Sequence, residues 1–183
     1  MADVIVRPAV LADAEAIRDI YNVEVTSQTS TFDLVPRSLA DQEAWLATRS
    51  GAFAAIVAVD GAGPPRPGGD GPDHAEPGDD GPVLGFASLS PYKERAAYRT
   101  TVEDSVYVDR GHGGRGVGTL LLTGLIDVAR QSGFHTVMAR IEASGTASRA
   151  LHLRCGFELV GIERQVGRKF NRWLDVAVMQ LLL

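Results

Sequence analysis

The sequence predicts a mixed α/β fold with helices flanking a central sheet. Short apolar or alternating runs typical of strands recur along the chain, and segments with apolar residues at three- and four-residue spacing lie between them. The length of 183 residues, of which 45% are hydrophobic, suits a single core. We therefore expect one domain that spans residues 1–183.

The first half of the chain predicts two helices and three strands. Asp13 is placed to cap the first helix, in which Ile17 and Tyr21 fall on one apolar face. Ser38 and Asp41 have the spacing of a capping box and mark the start of the second helix. The predicted strands are residues 4–7, 53–59 and 83–89.

Residues 61–82 separate the second and third predicted strands. Glycine, proline and acidic residues dominate this segment, and no apolar periodicity survives in it. Such a composition buries too little surface to offset the entropy of ordering. We expect a flexible insertion in a strand–strand loop. We expect no metal site at His74, because the acidic residues around it lack ligand spacing.

The second half alternates between strands and helices and ends in two strands. Gly133 is expected to end the first of its helices, and Gly156 the second. The predicted strands are residues 103–108, 136–141, 158–166 and 173–181, and the predicted helices are residues 117–131 and 146–155.

Five glycines between residues 111 and 118 join the strand at 103–108 to the helix at 117–131. The first N–H groups of a helix have no partner within it, and the helix dipole places partial positive charge there. Glycine lets the backbone approach a ligand closely. This order of elements predicts a site for the phosphate groups of a cofactor.

Two nucleotide-binding motifs partly match this loop. Residues 111–116 have the G-x-G-x-x-G spacing of dinucleotide-binding folds, with Glu142 as the ribose-binding acid. Only about 70 residues follow the loop, too few to complete a doubly wound sheet. Residues 113–119 imitate a P-loop but lack its phosphate-binding lysine. Both motifs stay open as weaker alternatives.

Several ordered segments resemble the phosphinothricin and methionine sulfoximine acetyltransferases of the GNAT N-acetyltransferase superfamily. The resemblance implies the GNAT fold, a central, twisted, mixed and mostly antiparallel sheet whose middle strands splay apart to admit acetyl-CoA. The segments that carry it are RPAVLADAEAIRDIYN at 7–22, TSTFDL at 29–34, VEDSVYV at 102–108, RGVG at 115–118, ALHLRCGF at 150–157 and VGRKFNRWLDVAVMQ at 166–180.

The same resemblance implies an acetyl-CoA-dependent N-acetyltransferase for a small amino acid or analogue, of the phosphinothricin, methionine sulfoximine or methionine sulfone type. Transfer would be direct, through a tetrahedral intermediate, with Glu103 as general base and His152 as the acid for the leaving thiolate. By itself, Glu103 could equally be a solvated strand carboxylate, and His152 a helix histidine satisfied by a nearby backbone or carboxylate group. Asp104 faces the other side of the strand and is expected to be structural or exposed.

The implied acetyl-CoA site departs from the family at two positions. Many GNAT loops have glutamine or arginine where this chain has Gly113, so Arg110 or Arg115 would have to replace that contact. Gly145 stands where the family usually has asparagine, and Ser144 is a possible substitute. The expected cofactor-binding residues are Val106, Tyr107, Val108, Gly113, Gly114, Arg115, Gly116, Val117, Gly118, Thr119, Gly145 and Ser148.

Cationic and aromatic residues just before the strand at 103–108 are expected to bind the acceptor substrate, because guanidinium groups suit carboxylates and tetrahedral oxyanions. A later basic cluster, Arg168, Lys169 and Arg172, is expected to complete the substrate cavity or a dimer contact. The predicted substrate-binding residues are Phe32, Lys93, Arg95, Tyr98 and Arg99.

Composition narrows the remaining possibilities. The net charge of −5 offers no basic footprint for nucleic acid, and no apolar run approaches the roughly 20 residues of a membrane span. Cys155, the single cysteine, excludes an internal disulfide and is expected to be a buried structural thiol. We expect a cytoplasmic homodimer. Acetylation of another amine, such as a protein N-terminus or an antibiotic, and a non-catalytic acetyl-CoA-binding module remain alternative functions.

Overall fold

A seven-stranded sheet forms the centre of the computed structural model, which describes residues 4–61 and 81–183. Its strands are β1 (Val4–Pro8), β2 (Ala55–Asp60), β3 (Val83–Pro91), β4 (Thr101–Val108), β5 (Thr136–Glu142), β6 (Glu158–Lys169) and β7 (Arg172–Leu182).

The sheet is mixed and mostly antiparallel, as the family resemblance implies. Its strand order is β1-β2-β3-β4-β5-β7-β6, and every neighbouring pair except β4–β5 is antiparallel. A dinucleotide-binding fold would need a doubly wound, mostly parallel sheet with the glycine loop after its first strand. The Rossmann interpretation of the loop is therefore wrong.

The one parallel pair is short, and it opens the sheet at its centre. Residues Thr101–Glu103 of β4 pair with Thr136–Met138 of β5, and the two strands have no further pairing although β4 continues to Val108. β5 pairs instead with β7 over its whole length. The splayed central strands are confirmed, and they leave one edge of β4 without a strand partner from residue 104 onward.

Within the described residues, four α-helices cover the two faces of the sheet. Helices α1 and α2 pack with Phe86 and Tyr107 on one face, and α3 packs on the other against a core that includes Val102 and Leu121. Strand residues alternate between these faces, so consecutive residues of β4 belong to different cores. The helices are α1 (Ala14–Ser27), α2 (Leu39–Ala47), α3 (Val117–Gln131) and α4 (Thr146–Arg154).

The predicted helix starts are correct in position, but only one has the expected capping bond. Ser38 Oγ accepts from the Asp41 N–H at 3.1 Å, and Asp41 Oδ2 accepts from the Ser38 N–H at 3.2 Å. Asp13 precedes α1 without a capping bond from its side chain. Its carboxylate instead accepts from Arg7 at 2.7 and 3.1 Å, which ties β1 to the helix start.

Several element boundaries differ from the sequence prediction. Strand β2 begins at Ala55, because Gly51–Phe53 forms a 3₁₀ turn. The last two strands are longer than predicted and meet in a tight turn in which Phe170 and Asn171 have positive φ. The predicted insertion joins antiparallel neighbours β2 and β3, and its residues 62–80, with His74, lie outside the described part. No helix in the described ranges is long and apolar enough to cross a membrane.

Candidate active site

A groove of about 1060 Å³ opens where β4 and β5 diverge. It runs from the glycine loop and the start of α3, past the free edge of β4, to α4 and the segment after α1. Backbone polar groups on that edge of β4 have no neighbouring strand, so they need ligand or water partners. The residues Val106, Tyr107 and Val108, expected to contact the cofactor, all line the groove.

The glycine loop has the geometry of an anion cradle at a helix start. Gly114 and Gly116 adopt positive φ, 78° and 80°, where a side chain would be strained. Thr119 and Leu120 donate their N–H groups to the Gly116 carbonyl. The N–H groups that precede them at the helix start have no intrahelical acceptor. This end of the groove can therefore hold phosphate oxygens through main-chain donors.

Eleven of the twelve predicted cofactor-binding residues line the groove. The exception is Arg115, whose guanidinium lies 3.6 Å from the Asp60 carboxylate, beside the loop rather than in the groove. Arg110 does line the groove, but its Nε and Nη2 both bind the buried Glu24 carboxylate at 2.9 Å. Neither arginine is thus placed as a simple replacement for the missing side chain at Gly113.

The two glycines that depart from the family pattern, Gly113 and Gly145, differ in the space around their α-carbons. A β-carbon at Gly113 would meet only the Arg110 carbonyl oxygen, at 3.9 Å, so the backbone there would accept a larger residue. A β-carbon at Gly145 would lie 3.0 Å from the Glu142 carbonyl, which is tight. Ser144 donates its hydroxyl to the Glu142 carboxylate at 2.5 Å, so its proton is not available to a ligand.

Glu103 faces the groove from the α1 side of the sheet and is half-buried. Burial raises the pKa of its carboxyl, the positive charge of Arg140 lowers it, and the negative charges of Asp104 and Glu163 raise it further. The net effect is a raised pKa, which improves the carboxylate as a proton acceptor near neutral pH. Arg140 itself binds Glu163, with Nη1 donating to Oε1 at 3.0 Å.

Asp104 and His152 form a buried pair on the other face of the sheet. His152 Nε2 lies 3.0 Å from Asp104 Oδ2, and His152 Nδ1 lies 2.8 Å from the Ser148 carbonyl oxygen. Asp104 is 6% exposed and His152 3% exposed, and both line the groove. The sequence predicts that Asp104 is either structural or exposed. It is not exposed: it is buried and binds His152, a residue proposed for catalysis.

The partners of His152 favour its doubly protonated form. A carbonyl oxygen and a carboxylate both accept, so both ring nitrogens must donate when Asp104 is ionised. Burial lowers the pKa of His152, but the hydrogen bond and the negative charge of Asp104, with the Ser148 bond, outweigh it and raise the pKa. Asp104 Oδ1 is buried and has no hydrogen-bond partner among the described residues.

The segment after α1 forms one wall of the groove and is held by long-range contacts. Thr29 donates to Glu142 at 3.1 Å across the groove. Buried Lys169, at the end of β6, donates to the carbonyl oxygens of Glu24 and Thr31 at 3.2 and 2.8 Å. Lys169 thus supports the wall through its bonds to Glu24 and Thr31, and no member of the late basic cluster lines the groove itself.

Of the predicted substrate-binding residues, only Phe32 lines the groove. Its ring packs so closely on Gly167 that a β-carbon there would overlap it. The other four, in the loop before β4, are exposed and do not line the groove. Within that loop Tyr98 packs on Tyr92, with ring centroids 5.6 Å apart. The residues in that position are Lys93, Arg95, Tyr98 and Arg99.

Cys155 differs from its sequence prediction. It follows the last residue of α4 and is only partly buried, and its thiol is free. Burial raises the pKa of this thiol, although Thr123 and Arg154 oppose the shift. A thiol with a raised pKa is a poor nucleophile at neutral pH.

Comparison with known proteins identifies the family. The Acetyltransferase (GNAT) family model matches residues 71–157. An L-methionine sulfoximine/L-methionine sulfone acetyltransferase from Pseudomonas aeruginosa is 40% identical over 179 residues, 97% of this chain and 94% of the relative. The chain belongs to the GNAT acetyltransferase family. A phosphinothricin N-acetyltransferase from Streptomyces coelicolor is 39% identical over 96% of this GNAT chain and 94% of its own length.

Solved GNAT structures agree with this fold over almost the whole chain. A phosphinothricin acetyltransferase from Sinorhizobium meliloti, solved in complex with acetyl-CoA, superposes with a TM-score of 0.84 and 34% identity, covering 100% of this chain and 89% of the other. The yncA protein of Salmonella typhimurium, solved with its cofactor acetyl-CoA, gives 0.84 and 34% over 98% and 94%. These superpositions confirm the GNAT fold over almost the whole chain.

Proposed function

We propose that this protein is an acetyl-CoA-dependent N-acetyltransferase for a small amino acid or analogue of the methionine sulfone, methionine sulfoximine or phosphinothricin type. The observation that carries the proposal is the groove, which joins a main-chain phosphate cradle to a half-buried carboxylate through the free edge of β4. Relatives that the chain matches over nearly their full lengths act on substrates of this type.

Acetyl-CoA supplies a thioester, and the residues of the groove provide the means to transfer its acetyl group. Main-chain N–H groups at Val117 and Gly118 bind the phosphates, and N–H groups of β4 near Val106 bind the developing oxyanion. Glu103 accepts the proton that the attacking amine loses as its nitrogen bonds to the acetyl carbon. His152 gives its Nε2 proton to the sulfur as the carbon–sulfur bond breaks, and for this the proton must leave its hydrogen bond to Asp104 Oδ2.

The two proposed proton-transfer groups stand on opposite faces of the sheet. Glu103 faces the side of α1, and His152 reaches the groove from α4 on the side of α3. Only the gap between β4 and β5 gives both of them access to one ligand. An amine that arrives from the side of Glu103 and a thiolate that departs toward His152 would thus both lie in the gap between β4 and β5.

The decisive experiment is a thiol-release assay with the purified protein. With acetyl-CoA present, L-methionine sulfone, L-methionine sulfoximine and phosphinothricin should each be tested for free coenzyme A thiol and for the acetylated product. Release with at least one of them supports the proposal. Tight acetyl-CoA binding without release across these and a broad amine panel would replace it with a non-catalytic module.

We further propose that the enzyme is a cytoplasmic homodimer that associates through β6. This edge strand is 12 residues long and carries exposed apolar side chains, which an isolated monomer would leave in water. The largest are Leu159, Val160, Ile162 and Val166, between 42% and 60% exposed. Sedimentation of the full chain should give twice the mass of 19.5 kDa, and Ile162→Glu should reduce it to the monomer.

A further inference from the structure

A short stretch of chain joins the splayed ends of β4 and β5 on the α1 side of the sheet. The pairing of these strands stops at Glu103, so the sheet itself does not fix the distance between them beyond that residue. Residues 24–29, which we call the strap, end α1 and begin the segment after it. The strap binds the loop after β4 at one end and the last residue of β5 at the other.

The first anchor of the strap is the ion pair between Glu24 and Arg110. Arg110 lies just after the end of β4, and its Nε and Nη2 donate to the two Glu24 carboxylate oxygens, both at 2.9 Å. The Glu24 side chain is only 8% exposed, and Ser30 also donates to it. A buried carboxylate that loses its cation keeps the cost of its desolvation. This pair should therefore stay closed, unlike an ion pair between two exposed side chains.

The second anchor is the hydrogen bond from Thr29 to Glu142, the last residue of β5. Glu142 is buried, and its carboxylate accepts from the Thr29 hydroxyl at 3.1 Å, the Ser144 N–H at 3.0 Å and the Ser144 hydroxyl. Of these donors, Thr29 comes from across the groove, whereas Ser144 follows Glu142 in the chain. A buried carboxylate needs such partners, so this bond also favours a closed strap.

The chain around the two anchors is held in one conformation. The Gln28 N–H donates to the Glu24 carbonyl at 3.2 Å, and buried Lys169 donates to the carbonyl oxygens of Glu24 and Thr31. The Thr31 hydroxyl in turn bonds to the Tyr21 hydroxyl at 2.9 Å. Hydrogen-bond networks of this kind carry a change at one position to another. Removal of either anchor should therefore loosen the strap as a whole.

A second link crosses the splay on the other face of the sheet. There His152 of α4 binds Asp104 of β4 at 3.0 Å. The strap and this pair lie on opposite sides of the groove, so a cofactor in the gap between β4 and β5 lies between them. A ligand binds more tightly to a gap that is already formed, because no free energy is lost in ordering it.

We propose that the strap sets the width of the gap between β4 and β5 and so keeps the groove formed for acetyl-CoA, with Glu24 and Thr29 as positioning residues. This inference rests on the acetyl-CoA-dependent function proposed above. Glu24 acts through Arg110, and Thr29 acts through Glu142. The two residues together fix the loop after β4 relative to the end of β5.

Thr29→Val tests the second anchor, and Thr29→Ser is its conservative partner. Valine keeps the shape of threonine but cannot donate a proton, whereas serine keeps the hydroxyl. Loss of a hydrogen bond to a charged group should raise the Kd for acetyl-CoA about tenfold in Thr29→Val, measured by calorimetry without acceptor. Thr29→Ser should bind as wild type does, and so should Thr48→Val, whose hydroxyl binds a carbonyl of α2. An unchanged Kd in Thr29→Val, or an equal loss in Thr29→Ser, would overturn the strap.

Glu24→Gln tests the first anchor, and Glu15→Gln is its control, because Glu15 is an exposed carboxylate on the same helix that pairs with Arg18. Glu24→Gln should also raise the Kd about tenfold. The double variant Glu24→Gln/Thr29→Val should bind at most about threefold more weakly than the poorer single variant, because the first change already loosens the strap. A product of the two losses, about 100-fold, would mean two independent contacts and contradict a single strap.

Arg110→Gln separates the strap from a direct contact between Arg110 and the cofactor. Arg110 lines the groove, so a phosphate group of acetyl-CoA could meet its guanidinium. A positioning role requires that Arg110→Gln and Glu24→Gln lose the same affinity. A loss in Arg110→Gln alone would replace the strap by a direct phosphate contact. If Glu24→Gln fails to fold, the comparison of Thr29→Val with Thr29→Ser at equal melting temperatures decides the proposal.

Acetyl-CoA binding needs no acceptor, so failure of the strap and failure of the proposed function give different results. The expected Kd pattern in a protein that acetylates none of the amines tested would refute the proposed function and support the strap. Turnover by the wild type together with a wild-type Kd in every variant would support the function and refute the strap. Absence of acetyl-CoA binding to the wild type would refute both.

Discussion

Glu103 and Asp104 are consecutive carboxylates on one strand, yet they have opposite environments. Glu103 is half-buried and faces the groove, its carboxylate makes no hydrogen bond to the described residues, and burial raises its pKa. Asp104 is buried and binds His152 at 3.0 Å. The alternation of a strand places one carboxylate on each face of the sheet, and the splay lets both border the same groove.

Glu103 is placed to exchange a proton with a ligand, whereas Asp104 is placed to hold the proton of His152 in position. A carboxylate with a raised pKa and access to ligand is suited to take a proton from an amine. A buried carboxylate beside an imidazole stabilises the charged ring and fixes its orientation. The two residues should therefore respond differently to the same removal of charge.

Glu103→Gln should cause the largest effect. We expect turnover to fall about 10²- to 10⁴-fold, because the amide cannot accept the amine proton. Acetyl-CoA affinity, measured by calorimetry, should stay nearly unchanged. Glu163→Gln is the matched control, because this carboxylate lies nearby but binds Arg140 instead of facing the proposed amine. Normal turnover in Glu103→Gln would exclude it as the base.

Asp104→Ala should mainly affect stability. Removal of one partner from a buried ion pair costs about 3–5 kcal/mol, which denaturant unfolding can measure. The raised pKa of His152 means that the pair stabilises the protein fully below the unfolded pKa of about 6.5, and that this stabilisation is lost as pH rises through the folded pKa. The gap between wild type and variant should therefore narrow at alkaline pH. A gap that widens with pH would contradict a charged His152.

Asp104→Asn tests whether the same pair matters in the reaction. The neutral amide removes the charge that raises the pKa of His152, so the ring should lose its proton at lower pH. If His152 donates to the leaving thiolate, the alkaline decline of kcat should begin at lower pH than in wild type. A structural role alone would lower the melting temperature and leave the alkaline limb where it was.

Arg140→Gln should cause the smallest change in activity, and it should affect only the ionisation of Glu103. The positive charge of Arg140 opposes the raised pKa of Glu103, so its removal should raise that pKa further. The acid limb of kcat/KM should then shift to higher pH, while the alkaline limb stays fixed. Arg164→Gln, an exposed arginine on β6, is the control. A shift of both limbs would mean that Glu103 and the Asp104–His152 pair do not act independently.

Local sequence patterns predicted most of the fold. The capping box at Ser38, the helix 117–131 and its end at Gly133 all follow from neighbouring residues, so the folded protein matches them closely. Boundaries failed where distant contacts decide: β6 continues to Lys169, whose ammonium is buried against carbonyl oxygens of the α1 segment. A lysine side chain gives no sequence signal for such a position, because it is usually exposed.

The candidate site was predicted unevenly for the same reason. The glycine loop forms its phosphate-binding cradle from consecutive residues, so the position of these residues along the groove could be expected. Arg49 and Asp104 gave no comparable signal, because each has its side-chain hydrogen-bond partners 40 or more residues away in the chain. The loop cations Lys93 and Arg95 had the right chemistry, but the fold leaves them exposed and outside the groove.

The sequence by itself determined the order of strands and helices, the glycine cradle and the alternation of Glu103 and Asp104, because these depend on residues close in the chain. Tertiary structure decided what those residues meet. It ended the β4–β5 pairing after Glu103, placed His152 against Asp104, and put Arg49 beside Ser90. Burial and long-range pairing set the pKa of a carboxylate and the partners of a cation, and neither is written in any single segment.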